Sequence, residues 1–139
     1  SDQGLARGML STSGKDFMLS CKITIKRRVA AGLILRGSET GEAGYFLRLE
    51  PGQGVVSLWR YPRPWVVSRP MAMKITPDLD YNRPLELRVL LHRHILDVYL
   101  NDRLVISRAV HDYKEGRFGV FVEDAESEFA VLKANELKE

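Results

Sequence analysis

Apolar and polar residues alternate with a period of two through most of this sequence, and this pattern restricts the fold more than any other feature. No stretch shows the period of about 3.6 residues typical of an amphipathic helix. Short β-rich runs separated by Gly- or Pro-containing turns instead recur about every ten residues, as in all-β sandwiches and barrels. The strands predicted from the pattern are 17–26, 32–36, 45–50, 55–61, 71–75, 85–92, 95–100, 104–108, 119–123 and 128–133.

The alternation also assigns residues to faces, because side chains two apart lie on the same side of a strand. The residues predicted to face the core are Leu85, Leu87, Val89, Leu91, Leu96, Val98, Leu100, Tyr45, Leu47, Leu49, Phe118, Val120 and Val122. The residues predicted on the opposite faces are Arg48, Glu50, Arg88, Asp97, Tyr99, Phe121 and Glu123. If their strands are neighbours, one sheet displays arginine, carboxylate and aromatic groups together. A plain solvated sheet face is the alternative.

Composition narrows the class of protein and its partners. The chain has 139 residues, one domain's length, with 21 Lys and Arg against 18 Asp and Glu and a formal net charge of +3. The arginines are scattered rather than concentrated on one element, so nucleic acid is not an expected partner. No run is long and apolar enough to span a membrane, so a membrane is not an expected partner either. The sequence begins at Ser1 without a signal-like or membrane-spanning run, so we expect it to be a piece of a longer protein.

A single cysteine, Cys21, excludes an intrachain disulfide. It shares the apolar phase of its strand with Leu19 and Ile23, which predicts a buried, inert thiol rather than a nucleophile.

Several side chains are of the types that bind sugars. Arginine and carboxylate groups hydrogen-bond vicinal hydroxyls, and an aromatic wall covers the less polar ring face. Trp59 is predicted to point outward, either as such a wall or covered by a neighbouring loop, and Trp65 on a loop has the same two interpretations. The candidate ligand-binding residues are Arg36, Tyr45, Arg48, Glu50, Trp59, Glu123 and Asp124.

The sequence offers little for catalysis. It has no nucleophile elbow, phosphate loop or dinucleotide motif, and no acid in an apolar setting of the kind a glycosidase needs. His92 and His94 flank a predicted tight turn without zinc spacing, and they and His111 are read as exposed histidines. We therefore expect no catalytic residue, no metal ligand and no cofactor, and a structural calcium is not indicated.

Two long segments carry a resemblance to a known family. They are AAGLILRGSETGEAGYFLRLEPGQGVVSLWR and LELRVLLHRHILDVYLNDRLVISRAVHDYKEGRFGVFVEDAESEFAVLKANEL, and the similarity covers 17–137. The sequence resembles family 66 carbohydrate-binding modules, the C-terminal β-sandwiches of glycoside hydrolase family 32 levanases and β-fructosidases. The resemblance implies an all-β, two-sheet antiparallel sandwich like concanavalin A or laminin-G jelly rolls, formed by 1–139 as one domain.

The resemblance further implies a non-catalytic module that binds terminal fructose of levan or inulin and is secreted with an attached catalytic domain. The family's motif positions fall on Arg36, Tyr45, Glu50 and Asp124. The family has Asp where Glu50 stands and Trp where Glu123 stands, so the aromatic wall must come from elsewhere, for example Trp59. Two other functions stay open: a sandwich that supports a neighbouring glycosidase domain, and a sugar-cleaving sandwich of the 3-keto-disaccharide hydrolase type.

Overall fold

The computed structural model describes residues 5–27, 30–62, 69–123 and 126–137. Within these ranges the chain forms eleven β-strands and no helix. The strands are β1 (Leu5–Gly14), β2 (Phe17–Arg27), β3 (Ala30–Gly37), β4 (Gly44–Glu50), β5 (Val55–Tyr61), β6 (Ala72–Ile75), β7 (Leu85–His92), β8 (Ile95–Leu100), β9 (Arg103–Ala109), β10 (Gly116–Glu123) and β11 (Glu126–Glu136).

The strands form two antiparallel sheets that pack face to face. The six-stranded sheet has the order β1-β10-β3-β4-β5-β6, and the five-stranded sheet has the order β11-β2-β7-β8-β9. Every pairing between neighbouring strands is antiparallel. The predicted all-β, two-sheet antiparallel sandwich is therefore confirmed.

The core lies between the two sheets and is made by the inward faces that the alternation identified. On β7 the burial pattern alternates strictly, with Leu85, Leu87, Val89 and Leu91 buried. The predicted core residues of β4 and β8 are buried as well. On β10 only Phe118 of the predicted stripe is fully buried, since Val120 and Val122 are partly exposed near the edge strand β1.

The residues predicted on the opposite faces do not share one sheet. Arg48 and Glu50 on β4 and Glu123 on β10 belong to the six-stranded sheet, whereas Arg88 on β7 and Tyr99 on β8 belong to the five-stranded sheet. The strand order therefore divides this set between two surfaces on opposite sides of the sandwich. Asp97 lies on β8 with Tyr99.

The outer face of the six-stranded sheet carries a second apolar cluster. Ile34, Phe46 and Phe121 are buried there, with Met9, Trp59 and Tyr61 packed against them. Phe121 was expected to be displayed, but it is 2% exposed because these neighbours cover it.

Strand β1 was not predicted. Its sequence LARGMLSTSG contains two glycines and several small polar residues, so it lacks a clear alternation. It becomes a strand by pairing with β10 at the edge of the sheet, with a register shift between Met9 and Ser13. Trp65 and Asp124 lie outside the described residues. The part of the chain that the structure describes has no helix long and apolar enough to cross a membrane.

Candidate ligand-binding face

The pairing of β3 with β4 decides which predicted site residues meet. These strands are antiparallel, with Leu35 opposite Tyr45 and Ala31 opposite Leu49. Arg36 therefore lies at the Tyr45 end of the sheet and Glu50 at the other end, about six residues or roughly 20 Å away. The candidate residues Arg36 and Glu50 therefore do not meet in one site.

Arg36 is a buried structural residue. It is 2% exposed, and it donates four hydrogen bonds to the backbone carbonyls of Lys15, Arg93 and Tyr113. Its Nη2 lies 3.7 Å from the Asp16 carboxylate. Burial lowers the pKa of the guanidinium, an effect that the charge of Asp16 partly opposes. Arg36 thus ties three loops together, and its N–H groups are occupied by carbonyls rather than offered to a sugar.

Tyr45 is also a buried structural residue. It is fully buried, and its hydroxyl oxygen accepts hydrogen bonds from the backbone N–H groups of Asp112 at 2.8 Å and Tyr113 at 3.0 Å. Burial raises the pKa of this phenol. Tyr45 therefore fixes the segment between β9 and β10 and is closed to a ligand.

Three of the predicted residues do come together, on the outer face of the six-stranded sheet. Arg48 Nε donates to Glu50 Oε1 at 2.6 Å on the same strand, and Arg48 Nη1 forms an ion pair with Glu123 at the end of β10. Strand β3 separates β4 from β10, and Gly32 is the residue between Arg48 and Phe121. Because Gly32 has no side chain, Arg48 can reach across β3 to Glu123.

This cluster, Arg48 with Glu50 and Glu123, is half-buried. The side chains are 18%, 24% and 34% exposed, respectively. Burial alone would lower the pKa of Arg48, but hydrogen bonds and charges from the two carboxylates outweigh it and raise the pKa above its ordinary value. The cluster is therefore a fixed guanidinium flanked by two carboxylate acceptors, and the three side chains together have one net negative charge.

Trp59 lies next to this cluster on β5. Its indole N–H donates to Ser57 Oγ at 2.8 Å, and Ser57 is the residue opposite Arg48. The prediction that Trp59 points outward is confirmed, and its ring is partly exposed and partly packed on the second apolar cluster. Neither Ser57 nor Gly32 was a predicted site residue, because only the strand register shows that they flank Arg48.

Comparison with known proteins relates the chain as a whole to a carbohydrate-binding module. No model of a known protein family matches the sequence. Levanase of Bacillus subtilis (strain 168) is 30% identical over 122 residues, which are 86% of this chain and 18% of the levanase. The solved carbohydrate-binding module CBM66 from Bacillus subtilis is 29% identical with a TM-score of 0.86, covering 98% of this chain and 84% of that one. The expected resemblance to family 66 carbohydrate-binding modules is confirmed.

A more distant structure supports the fold alone. A protein of unknown function with a galectin-like fold from Bacillus subtilis has a TM-score of 0.71 at 9% identity, covering 95% of this chain and 77% of that one. Glu123, at the position where the resemblance implies Trp, is the second charge partner of Arg48.

Proposed function

We propose that this chain is a non-catalytic carbohydrate-binding module that recognises the terminal fructose of levan- or inulin-type fructans. In this proposal it is secreted as part of a longer glycoside hydrolase, which it holds on the substrate. The similarity to CBM66 and to levanase supports the proposal. The observation that carries it is a half-buried guanidinium fixed between two carboxylates beside a partly exposed tryptophan.

The chemistry of the cluster suits a neutral sugar. Arg48 uses Nε and one Nη1 hydrogen for its carboxylates. Within the part of the chain that the structure describes, this leaves three of its five N–H groups for sugar hydroxyls. Glu50 and Glu123 supply acceptors on either side, and vicinal hydroxyls can donate to one and accept from Arg48. Trp59 lies one strand away and is positioned to cover the less polar face of the ring. Asp124 directly follows Glu123 and is proposed as a further acceptor.

The same geometry favours binding over cleavage. Two-carboxylate glycoside hydrolysis needs one carboxylic acid that donates a proton and a second carboxylate across the scissile bond. Glu50 and Glu123 instead both accept from one guanidinium. The cluster is therefore arranged to hold a sugar rather than to protonate a leaving group.

Calorimetric titration with levan, inulin and fructose tests the site through Arg48→Ala. The change removes charge-assisted hydrogen bonds, and we expect affinity to fall about ten- to hundredfold. Arg88→Ala is the matched control, because Arg88 also lies near a carboxylate, 3.8 Å from Asp102, and over an aromatic ring, that of Tyr99. It belongs to the other sheet, so its removal should leave fructan affinity unchanged.

Two further readouts check the ligand class. Fructan affinity should change little with salt, because the ligand is uncharged. Xylan and cellulose should bind much more weakly than fructans. Unchanged affinity of a folded Arg48→Ala variant, or equal binding of all the glycans, would contradict the proposal.

A second function is supported by exposed apolar side chains. Met73 and Ile75 on the edge strand β6 are 60% and 62% exposed, and Leu104 on β9 is 52% exposed. A sandwich that supports a neighbouring catalytic domain would bury such residues against it. In the parent protein, Met73→Ser with Ile75→Ser should then lower the unfolding temperature of that domain. An unchanged unfolding temperature would contradict this second function.

A further inference from the structure

The end of the sandwich opposite Glu50 and Glu123 contains a separate pocket of about 380 Å³. The turn between β1 and β2, the turn between β7 and β8 and the segment between β9 and β10 surround it. Arg36 and Val110 also line it. The candidate fructan face lies on the outer side of the six-stranded sheet, near its other end, so the two sites share no residue.

Positive charge converges on this pocket. The lining carries four permanent positive charges, on Lys15, Arg36, Arg93 and Lys114. Among the described lining residues Asp16 is the one acid, so the lining is three units positive with its histidines neutral. The whole chain has a formal net charge of +3. A concave site with low-dielectric walls and charge of one sign concentrates anions.

The Asp16 carboxylate already has partners within the fold. Its Oδ1 accepts the backbone N–H of Arg93 at 2.7 Å and lies 3.7 Å from Arg36 Nη2. Arg36 itself is 2% exposed, so water screens its charge poorly. The pocket therefore has a desolvated cation among its walls and exposed lysines at its sides.

Two histidines complete the lining. The rings of His94 and His111 are stacked, with centroids 5.0 Å apart and planes 20° from parallel. Both residues are exposed. Imidazole nitrogens donate hydrogen bonds to anions, and protonation of either ring adds positive charge.

We propose that this pocket binds an oxyanion group, either a free sulfate or phosphate or the carboxylate of an acidic sugar. Lys15 and Lys114 supply ammonium donors, and the stacked histidines supply ring N–H donors. This site is additional to the proposed fructan site, because a neutral fructose does not need such a concentration of charge.

Calorimetric titrations with sodium sulfate, phosphate and glucuronate, with chloride added to keep ionic strength constant, test the proposal. We expect saturable binding, with glucuronate tighter than sulfate if the natural source is an acidic sugar and weaker if it is a free oxyanion. The double variant Lys15→Gln with Lys114→Gln should bind at least about tenfold more weakly. Lys22→Gln with Lys74→Gln removes the same charge from exposed positions outside the pocket and should bind as the wild type does.

The histidines give a second readout. The variant His94→Ala with His111→Ala removes the ring N–H donors and should bind sulfate more weakly than the wild type at the same pH. The charged groups around the rings are those of the pocket, together with Asp112, which lies 3.5 Å from Arg60.

Three outcomes would overturn the proposal: no saturable binding of any of the three anions, equal weakening in the Lys22 and Lys74 control, or unchanged sulfate affinity in the His94 and His111 variant. Fructan affinity should be unchanged in the Lys15 and Lys114 variant. Failure of the oxyanion site is thereby distinguishable from failure of the fructan site.

Discussion

Replacing Arg36 with alanine should destabilise the fold rather than weaken sugar binding. The side chain donates four hydrogen bonds to carbonyls in the β1–β2 turn, the β7–β8 turn and the segment before β10. Arg36→Ala leaves the carbonyls of Lys15, Arg93 and Tyr113 without their donor. An unsatisfied buried polar group costs about 1–3 kcal/mol.

The expected loss in the free energy of unfolding comes from three carbonyls that lose their donor, and two effects reduce it. Water can replace part of the lost bonding where the turns reach the surface, and the desolvation cost of the buried guanidinium disappears with the side chain. Taking about 1 kcal/mol for each carbonyl gives a loss of about 3 kcal/mol. For a chain of this length, that corresponds to a decrease of about 10 °C in the unfolding midpoint.

Urea unfolding followed by far-UV circular dichroism measures this loss. Arg36→Lys should recover only part of it, because an ammonium has no planar fork of donors. Arg88→Ala is the control, since its side chain is 44% exposed and its removal should change stability by about 0.5 kcal/mol or less. An Arg36→Ala variant within about 0.5 kcal/mol of the wild type would refute this reasoning.

Two further predictions follow from buried groups. Burial raises the pKa of Cys21 to about 12, so a thiol reagent should label the native protein slowly even at pH 9 and quickly in denaturant; fast native labelling would contradict the burial of β2. Tyr45→Phe removes the oxygen that accepts two backbone N–H groups and should lower the free energy of unfolding by about 1–2 kcal/mol in the same urea experiment. No change would mean that this hydroxyl does not hold the segment before β10.

Much of the local structure follows from the sequence alone. The period of two places Leu85, Leu87 and Val89 in the core, and a one-residue error would have exposed them all. It also places Arg48 and Glu50 on one face, because residues two apart on a strand share a side. Strand β1 was not predicted because its residues do not alternate clearly, and it is stabilised by pairing with β10.

The candidate site required the strand order. Alternation assigns each side chain to one face of its strand. It shows neither the sheet to which the strand belongs nor the direction of the neighbouring strand. The antiparallel pairing of β3 with β4 moves Arg36 away from Glu50, and the position of β10 beside β3 brings Glu123 to Arg48.

The oxyanion pocket depends on tertiary structure for the same reason. Lys15, Arg93 and Lys114 come from three separate turns and segments, 78 and 21 positions apart along the chain, and only chain reversal at one end of the sandwich brings them together. Sequence determines which side chains a strand presents on each face. Contacts between distant strand ends are set by the topology, because they depend on which strands pair and in which direction.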